Sequence, residues 1–236
     1  TTLFRSPLPG TVIASGVTLV TITASDGTNQ TLCTFNLTVI DQTAPTAVCQ
    51  SITVALDVNG TATITSSDID GGSTDNCGTI TTSIDLTTFT CDDIGDNTVV
   101  LTITDQAGQA TTCSAIVTVI DATAPSVVCQ DITVLLDAAG MVVITASDID
   151  AGSFDNCGII TYDIDITSFN CSNTGENLVG LTLTDASGNS NSCTAIVTVV
   201  DALAPTAMCQ NITLELDPYG NATITPADID AGSFDN

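Results

Sequence analysis

The chain contains no lysine, no histidine and no tryptophan, and its one cationic side chain is Arg5. Against that single charge stand 27 acids, for a net charge of −26. Phosphate recognition requires cations, so nucleic acid is excluded as a partner. An anionic membrane surface is disfavoured for the same reason. Without histidine or lysine, the usual general bases and the usual activators of nucleophiles are missing, which argues against an enzyme. A neighbouring pair such as Asp92 and Asp93 has the residue types of a glycosidase, but it lies in a small repeated module with no sign of a large cleft. Aromatic residues make up only 3% of the chain, too few for a sugar-stacking platform. The lack of lysine also rules out lysine–asparagine cross-links, leaving disulfides to carry any tensile load. No stretch approaches the roughly 20 apolar residues of a membrane span, so no membrane insertion is expected in this segment. No basic-then-apolar leader is present. Thr1 is expected to lie inside a longer gene product, so this says nothing about export.

What the chain does have is a period. Ser147 to Gly158 reads S-D-I-D-A-G-S-F-D-N-C-G, and Ser67 to Gly78 reads S-D-I-D-G-G-S-T-D-N-C-G. The box begins a third time at Asp228 and runs to Asn236. Asp68, Asp148 and Asp228 are 80 residues apart (148 − 68, 228 − 148), as are Cys49, Cys129 and Cys209. An internal repeat overrides any domain count taken from length. It divides the chain into two full repeats, 41–120 and 121–200, with the second half of a repeat at 1–40 and the first half at 201–236. Two readings of the halves are open: a window on a longer array, or half domains completed by neighbouring chains.

Within a repeat the apolar residues alternate. Ile52, Val54 and Leu56 do so, as do Val99, Leu101 and Ile103, and Cys113, Ala115, Val117 and Val119 fall on one face. Period-two alternation broken by Gly, Asn and Asp predicts short antiparallel strands. The one helical signal is a single turn at 68–71 and its copies. About seven strands in such a module make an immunoglobulin-like β-sandwich. The fold class is therefore all-β: tandem immunoglobulin-like sandwiches, end to end. Each pair is joined by a five-residue linker ending in proline, at 41–45, 121–125 and 201–205, which ends strand pairing and leaves little room for reorientation. A semi-rigid rod is expected.

The order D-x-x-A-P, Cys, D-N-C-G, T-D-x-x-G, T-C-x-x-x-V-T-V resembles the hyalin repeat, and residues 8–45 are similar to that module's closing half. The resemblance covers essentially the whole chain. It implies an immunoglobulin-like extracellular adhesion module. Near-identical tandem copies are similar to those of large surface adhesins of gliding bacteria exported by the type IX secretion system. The implied role is attachment or gliding, as part of a cell-surface fibre. The implied partners are neighbouring repeats or chains and surface glycans or other cells. The alternatives are a passive filament, sheath or stalk, and a calcium-dependent ligand-binding module. The full repeats depart from the common two-cysteine pattern by adding Cys77/Cys91 and Cys157/Cys171.

Regularly spaced cysteines in a small module indicate a disulfide framework and an oxidising, extracellular compartment. A zinc site is excluded by the absence of histidine and of C-x-x-C spacing. Of three possible connectivities, the expected one pairs first with fourth and second with third: Cys49–Cys113 and Cys77–Cys91, then Cys129–Cys193 and Cys157–Cys171. The Asp box is the strongest metal candidate. Asp68, Asp70, Asp75 and Asn76, with Asp148, Asp150, Asp155 and Asn156, cluster hard oxygens of the type calcium requires. The competing reading is local: Asp148 caps a helical turn, Gly152 ends it and Asp155-Asn156 form an Asx turn. Asp41, Asp121 and Asp201 in the linkers are weaker candidates for the same ion. Asp105 and Asp185, each three residues before a glycine, read as hairpin residues. Asn29, Asn36, Asn59, Asn211 and Asn221 begin N-x-[ST] triplets, which arise readily by chance in a threonine-rich chain.

Overall fold

The computed structural model describes residues 2–8 and 10–235, and the chain divides into two compact units, Thr1–Asp121 and Ala122–Asn236. The first unit opens with the partial repeat. There β1 (Thr2–Ser6), β2 (Gly16–Ser25) and β3 (Gln30–Val39) form an antiparallel sheet in the order β1-β2-β3.

The full repeat follows. It contains β4 (Ile52–Ala55), β5 (Thr61–Thr63), the one-turn helix α1 (Ser66–Ile69), β6 (Thr81–Ile84), β7 (Thr88–Thr90), a 3-10 turn at Cys91–Asp93, β8 (Gly95–Thr104) and β9 (Ala110–Ile120). One sheet has the order β4-β9-β8-β6, the other pairs β5 with β7. Alternation along β8 and β9 points Val99, Leu101, Ile103, Ala115, Val117 and Val119 inward, where all are buried. Leu56, Ile64, Ile69 and Phe89 complete the core, with Phe89 its one large aromatic. Hydrophobic burial on this scale is the main favourable term for so small a module.

Two strand details differ from the alternation pattern alone. Six strands form, not about seven, because the segment before β4 makes only isolated bridges, Thr46↔Thr74 and Cys49↔Asp70. The chain then crosses to the other sheet, so β4 runs parallel to β9 (Ile52↔Val117) where antiparallel pairing was predicted. Cys49, at that crossing, is bonded to Cys113 of β9, with Cα atoms 5.9 Å apart.

The second unit repeats this plan with β10 (Ile132–Leu135), β11 (Met141–Val143), α2 (Ala146–Ile149), β12 (Ile159–Ile164), β13 (Ser168–Asn170), a 3-10 turn at Cys171–Asn173, β14 (Gly175–Asp185) and β15 (Ser190–Val200). Cys129 is bonded to Cys193. Its core residues, Leu136 through Val199, stand 80 positions after their counterparts in the first repeat. The closing half repeat has α3 (Pro226–Ile229) and the bridges Thr206↔Phe234 and Cys209↔Asp230. Lacking the opposite sheet, it exposes what a full repeat buries: Leu216, Ile224 and Ile229 are 68%, 54% and 39% exposed, against 5%, 3% and 0% at Leu136, Ile144 and Ile149.

The expected Cys77–Cys91 bond is not formed. Cys77 is a thiol, whereas Cys91 is disulfide-bonded. The reason is distance along the module. Cys77 lies in the turn leading to β6, whose Thr81 pairs with Thr104 at the far end of β8. Cys91 lies just before Gly95, at the beginning of β8. Ten strand residues span about 30 Å, and a disulfide requires Cα atoms within roughly 7 Å. Cys157–Cys171 is corrected on the same ground. Cys157 is disulfide-bonded and sits in the matching turn, while Cys171 Sγ is 3.7 Å from Gly140 O at the other end.

Candidate metal centre

The structure sorts the aspartates of the box into two groups. Asp68 belongs to α1: its Oδ2 accepts from Thr65 N at 2.6 Å and from Thr65 Oγ1 at 2.7 Å, closing a capping box. Those two bonds hold its carboxyl below the usual aspartate value. Asp148 and Asp228 do the same with Thr145 and Thr225. Asp70 accepts from Ser73 Oγ at 2.6 Å and Ser73 N at 2.8 Å, which lowers its pKa as well. Asp150 accepts from Ser153 N. These residues serve the local backbone, as caps and turns do.

Asp75 does something else. Its Oδ2 accepts from Cys77 N at 2.9 Å, which fixes the turn, and its Oδ1 is buried without a hydrogen-bond partner. Asp41 of the linker has the same division: Oδ1 accepts from Thr43 N at 3.0 Å, and Oδ2 is buried without a partner. Asp105, at the end of β8, is the third member and is only 6% exposed. Its Oδ1 accepts from Gln109 N at 2.7 Å, and its carbonyl accepts from Gly108 N, with Gly108 at φ 91° to close the hairpin. Ligand oxygens of Asp41, Asp75 and Asp105 lie within 4.8 Å of one another. Gln109 ties the group together, since its side-chain amide donates to Asp41 O and Asp105 Oδ2. In the second unit the matching box and hairpin residues, Asp155 and Asp185, come together in the same way. There Asp155 Oδ2 accepts from Cys157 N, its Oδ1 is buried without a partner, and Asp185 is fully buried.

The cluster thus unites one weaker candidate of the sequence reading, Asp41, with one from the box, Asp75, and adds Asp105. Asp105 is a hairpin residue and a cluster member at once, and the T-D-x-x-G motif signalled only the first. Asn76 is exposed beside Asp75, while Asn156 is half-buried. Asp201 makes the linker turn, accepting from Leu203 N at 3.0 Å.

A buried charged oxygen without a partner is costly. Two such oxygens beside a third carboxylate, with no cationic side chain in the repeat, are what a metal ion would neutralise. The donor set is all oxygen, with no histidine or thiolate in it. That chemistry suits a hard divalent cation, calcium or magnesium, over zinc or copper.

No family model matches the chain, and no curated protein matches it. Solved structures do. An endo-fucoidan hydrolase from glycoside hydrolase family 107 shares 15% identity over 86% of this chain and 39% of its own, with a TM-score of 0.27. Human protocadherin-24 EC1-2 shares 11% over 67% and 99%, at 0.36. Drosophila N-cadherin EC1-4 shares 11% over 80% and 58%, at 0.37. The chain spans about two fifths of the length of the first of these. At such identities and scores the likeness carries no argument about activity.

Proposed function

We propose that this chain is a segment of an extracellular repeat protein that serves attachment, with modules fixed at their linkers by calcium and stapled internally by disulfides. The observation that carries the reading is the Asp41–Asp75–Asp105 cluster, whose Asp41 and Asp75 each hold one oxygen buried and unpaired in a chain almost without cations. Calcium there would supply charge neutralisation and would hold linker, box turn and hairpin as one body. The Cys49–Cys113 and Cys129–Cys193 bonds support an oxidising compartment. The resemblance of D-x-x-A-P and T-C-x-x-x-V-T-V to the hyalin repeat supports adhesion, with a gliding bacterium's surface fibre as the specific setting. The segment is read as non-enzymatic, since it offers neither histidine nor lysine as a base.

The test is retention. Beads carrying the chain are presented to a glycan array and to beads carrying the same chain, in calcium and in chelator. Calcium-dependent retention on either supports attachment. Absence of retention under both conditions overturns it in favour of a passive spacer.

A further inference from the structure

The second cysteine pair of each repeat has no explanation inside the repeat. Cys77 stands at the end where the linker comes in. Its neighbour Gly78 is so close to the β8–β9 hairpin that an added Cβ would meet Gln106 Oε1 at 2.8 Å. Cys91 stands at the other end, its Sγ 3.7 Å from Gly60 O in the β4–β5 turn. That is the end where β9 finishes at Ile120 and the next linker begins. Every full repeat therefore carries one cysteine at its proximal end and one at its distal end.

The first unit shows what a proximal cysteine faces. Cys77 Sγ lies 3.2 Å from Ser15 Oγ, and it shares a cleft with Ser15, Gly16, Val39 and Ile40. These belong to the distal end of the preceding, partial repeat. In that repeat Gly16 pairs with Val39 as Gly95 pairs with Val119. Cys91 lies four residues before Gly95 (95 − 91), and the matching position, four before Gly16 (16 − 12), is Val12. Val12 is 95% exposed. Cys77 thus faces the distal end of its predecessor, where this one repeat has valine in place of cysteine, and Cys77 is a thiol.

We propose that the second cysteine pair links successive repeats: the distal cysteine of one repeat bonds the proximal cysteine of the next. Formation takes two thiols to one disulfide. The two protons and two electrons pass to a small-molecule disulfide, which leaves as two thiols. Each junction is then spanned twice, by the five-residue linker and by a covalent bridge, so that tension does not fall on the linker alone. The inference is independent of any bound cation.

The test uses the whole chain, refolded in a buffer of oxidised and reduced glutathione and mapped without reduction after cleavage at aspartate. In the wild type, Cys77 is expected to be open to alkylation and absent from every disulfide-linked peptide. In Val12→Cys, positions 12 and 77 are expected to become joined and Cys77 to resist alkylation. A wild-type Cys77–Cys91 bond overturns the proposal. So does a Val12→Cys protein in which Cys77 remains open while Cys49–Cys113 is intact, a bond that serves as the check on folding.

Discussion

Replacing Asp75 with asparagine should change stability in opposite directions with and without calcium. Two carboxylates at 4.8 Å, the outer limit of the separations in the cluster, repel by about 3.5 kcal/mol at the effective dielectric of a protein surface and by about 0.9 kcal/mol in water. Asp75 takes part in two of the three pairs in the cluster. Allowing for screening at physiological salt, its neutralisation removes roughly 1 to 4 kcal/mol of repulsion. Asparagine keeps an oxygen for the Cys77 N–H, now met by Asp75 Oδ2 at 2.9 Å. Its amide replaces the unpaired Oδ1 and can donate to the neighbouring carboxylates. In chelator the variant should therefore melt several degrees above wild type, at about 4–8 °C per kcal/mol for a module of this size. In calcium the order should reverse. An ion at about 1,000 times its dissociation constant stabilises the wild type by about 4.1 kcal/mol, enough to outweigh the repulsion, and Asp75→Asn forfeits most of that. The assay is thermal unfolding by circular dichroism under both conditions. Equal destabilisation in both, or wild-type curves that superimpose with and without calcium, would leave Asp75 as a turn residue and the cluster without an ion.

Other expectations follow from the same structure. Phe89→Ala removes the one large aromatic of a core in which Phe89 is 0% exposed, and should cost about 3–5 kcal/mol in denaturant unfolding. Replacing Cys49 and Cys113 together by alanine opens a loop of sequence separation 64 and should cost about 4 kcal/mol in the chain-entropy model. Asp68 is held below the ordinary aspartate value of 3.8 by its bonds from Thr65. Because its folded value is the lower one, the ionised cap stabilises the fold above the unfolded value, and the contribution is lost as pH falls through the folded value. An Asp68→Asn variant should accordingly show a shallower loss of stability below pH 3.8 than wild type in an acid titration followed by circular dichroism.

Much of this was legible in one chain because the repeat marks equivalent positions. The alternation at Val99, Leu101 and Ile103 identified buried faces directly, since strand periodicity is local. The caps at Asp68 and Asp148 were legible for the same reason, each partner lying three residues away. The carboxylate cluster was legible only in part. Asp41, Asp75 and Asp105 come from a linker, a turn and a hairpin, and only the register of β6 on β8 brings the last two together. Cys77 and Cys91 misled by their closeness in sequence. A 15-residue excursion can return to its start, but here the chain climbs the length of the module instead. The parallel run of β4 beside β9 was hidden because alternation reports which face is buried and not which way a strand points.

Linker, box and hairpin aspartates are proposed to form one hard-cation site. Calorimetric titration of calcium into the wild-type chain, and into Asp41→Asn, Asp75→Asn, Asp105→Asn and Asp68→Asn, tests it most directly. Saturable binding is expected for the wild type, unchanged in Asp68→Asn and weakened in each of the other three. Binding weakened by Asp68→Asn and untouched by the three cluster substitutions, or no binding heat at all, would contradict it.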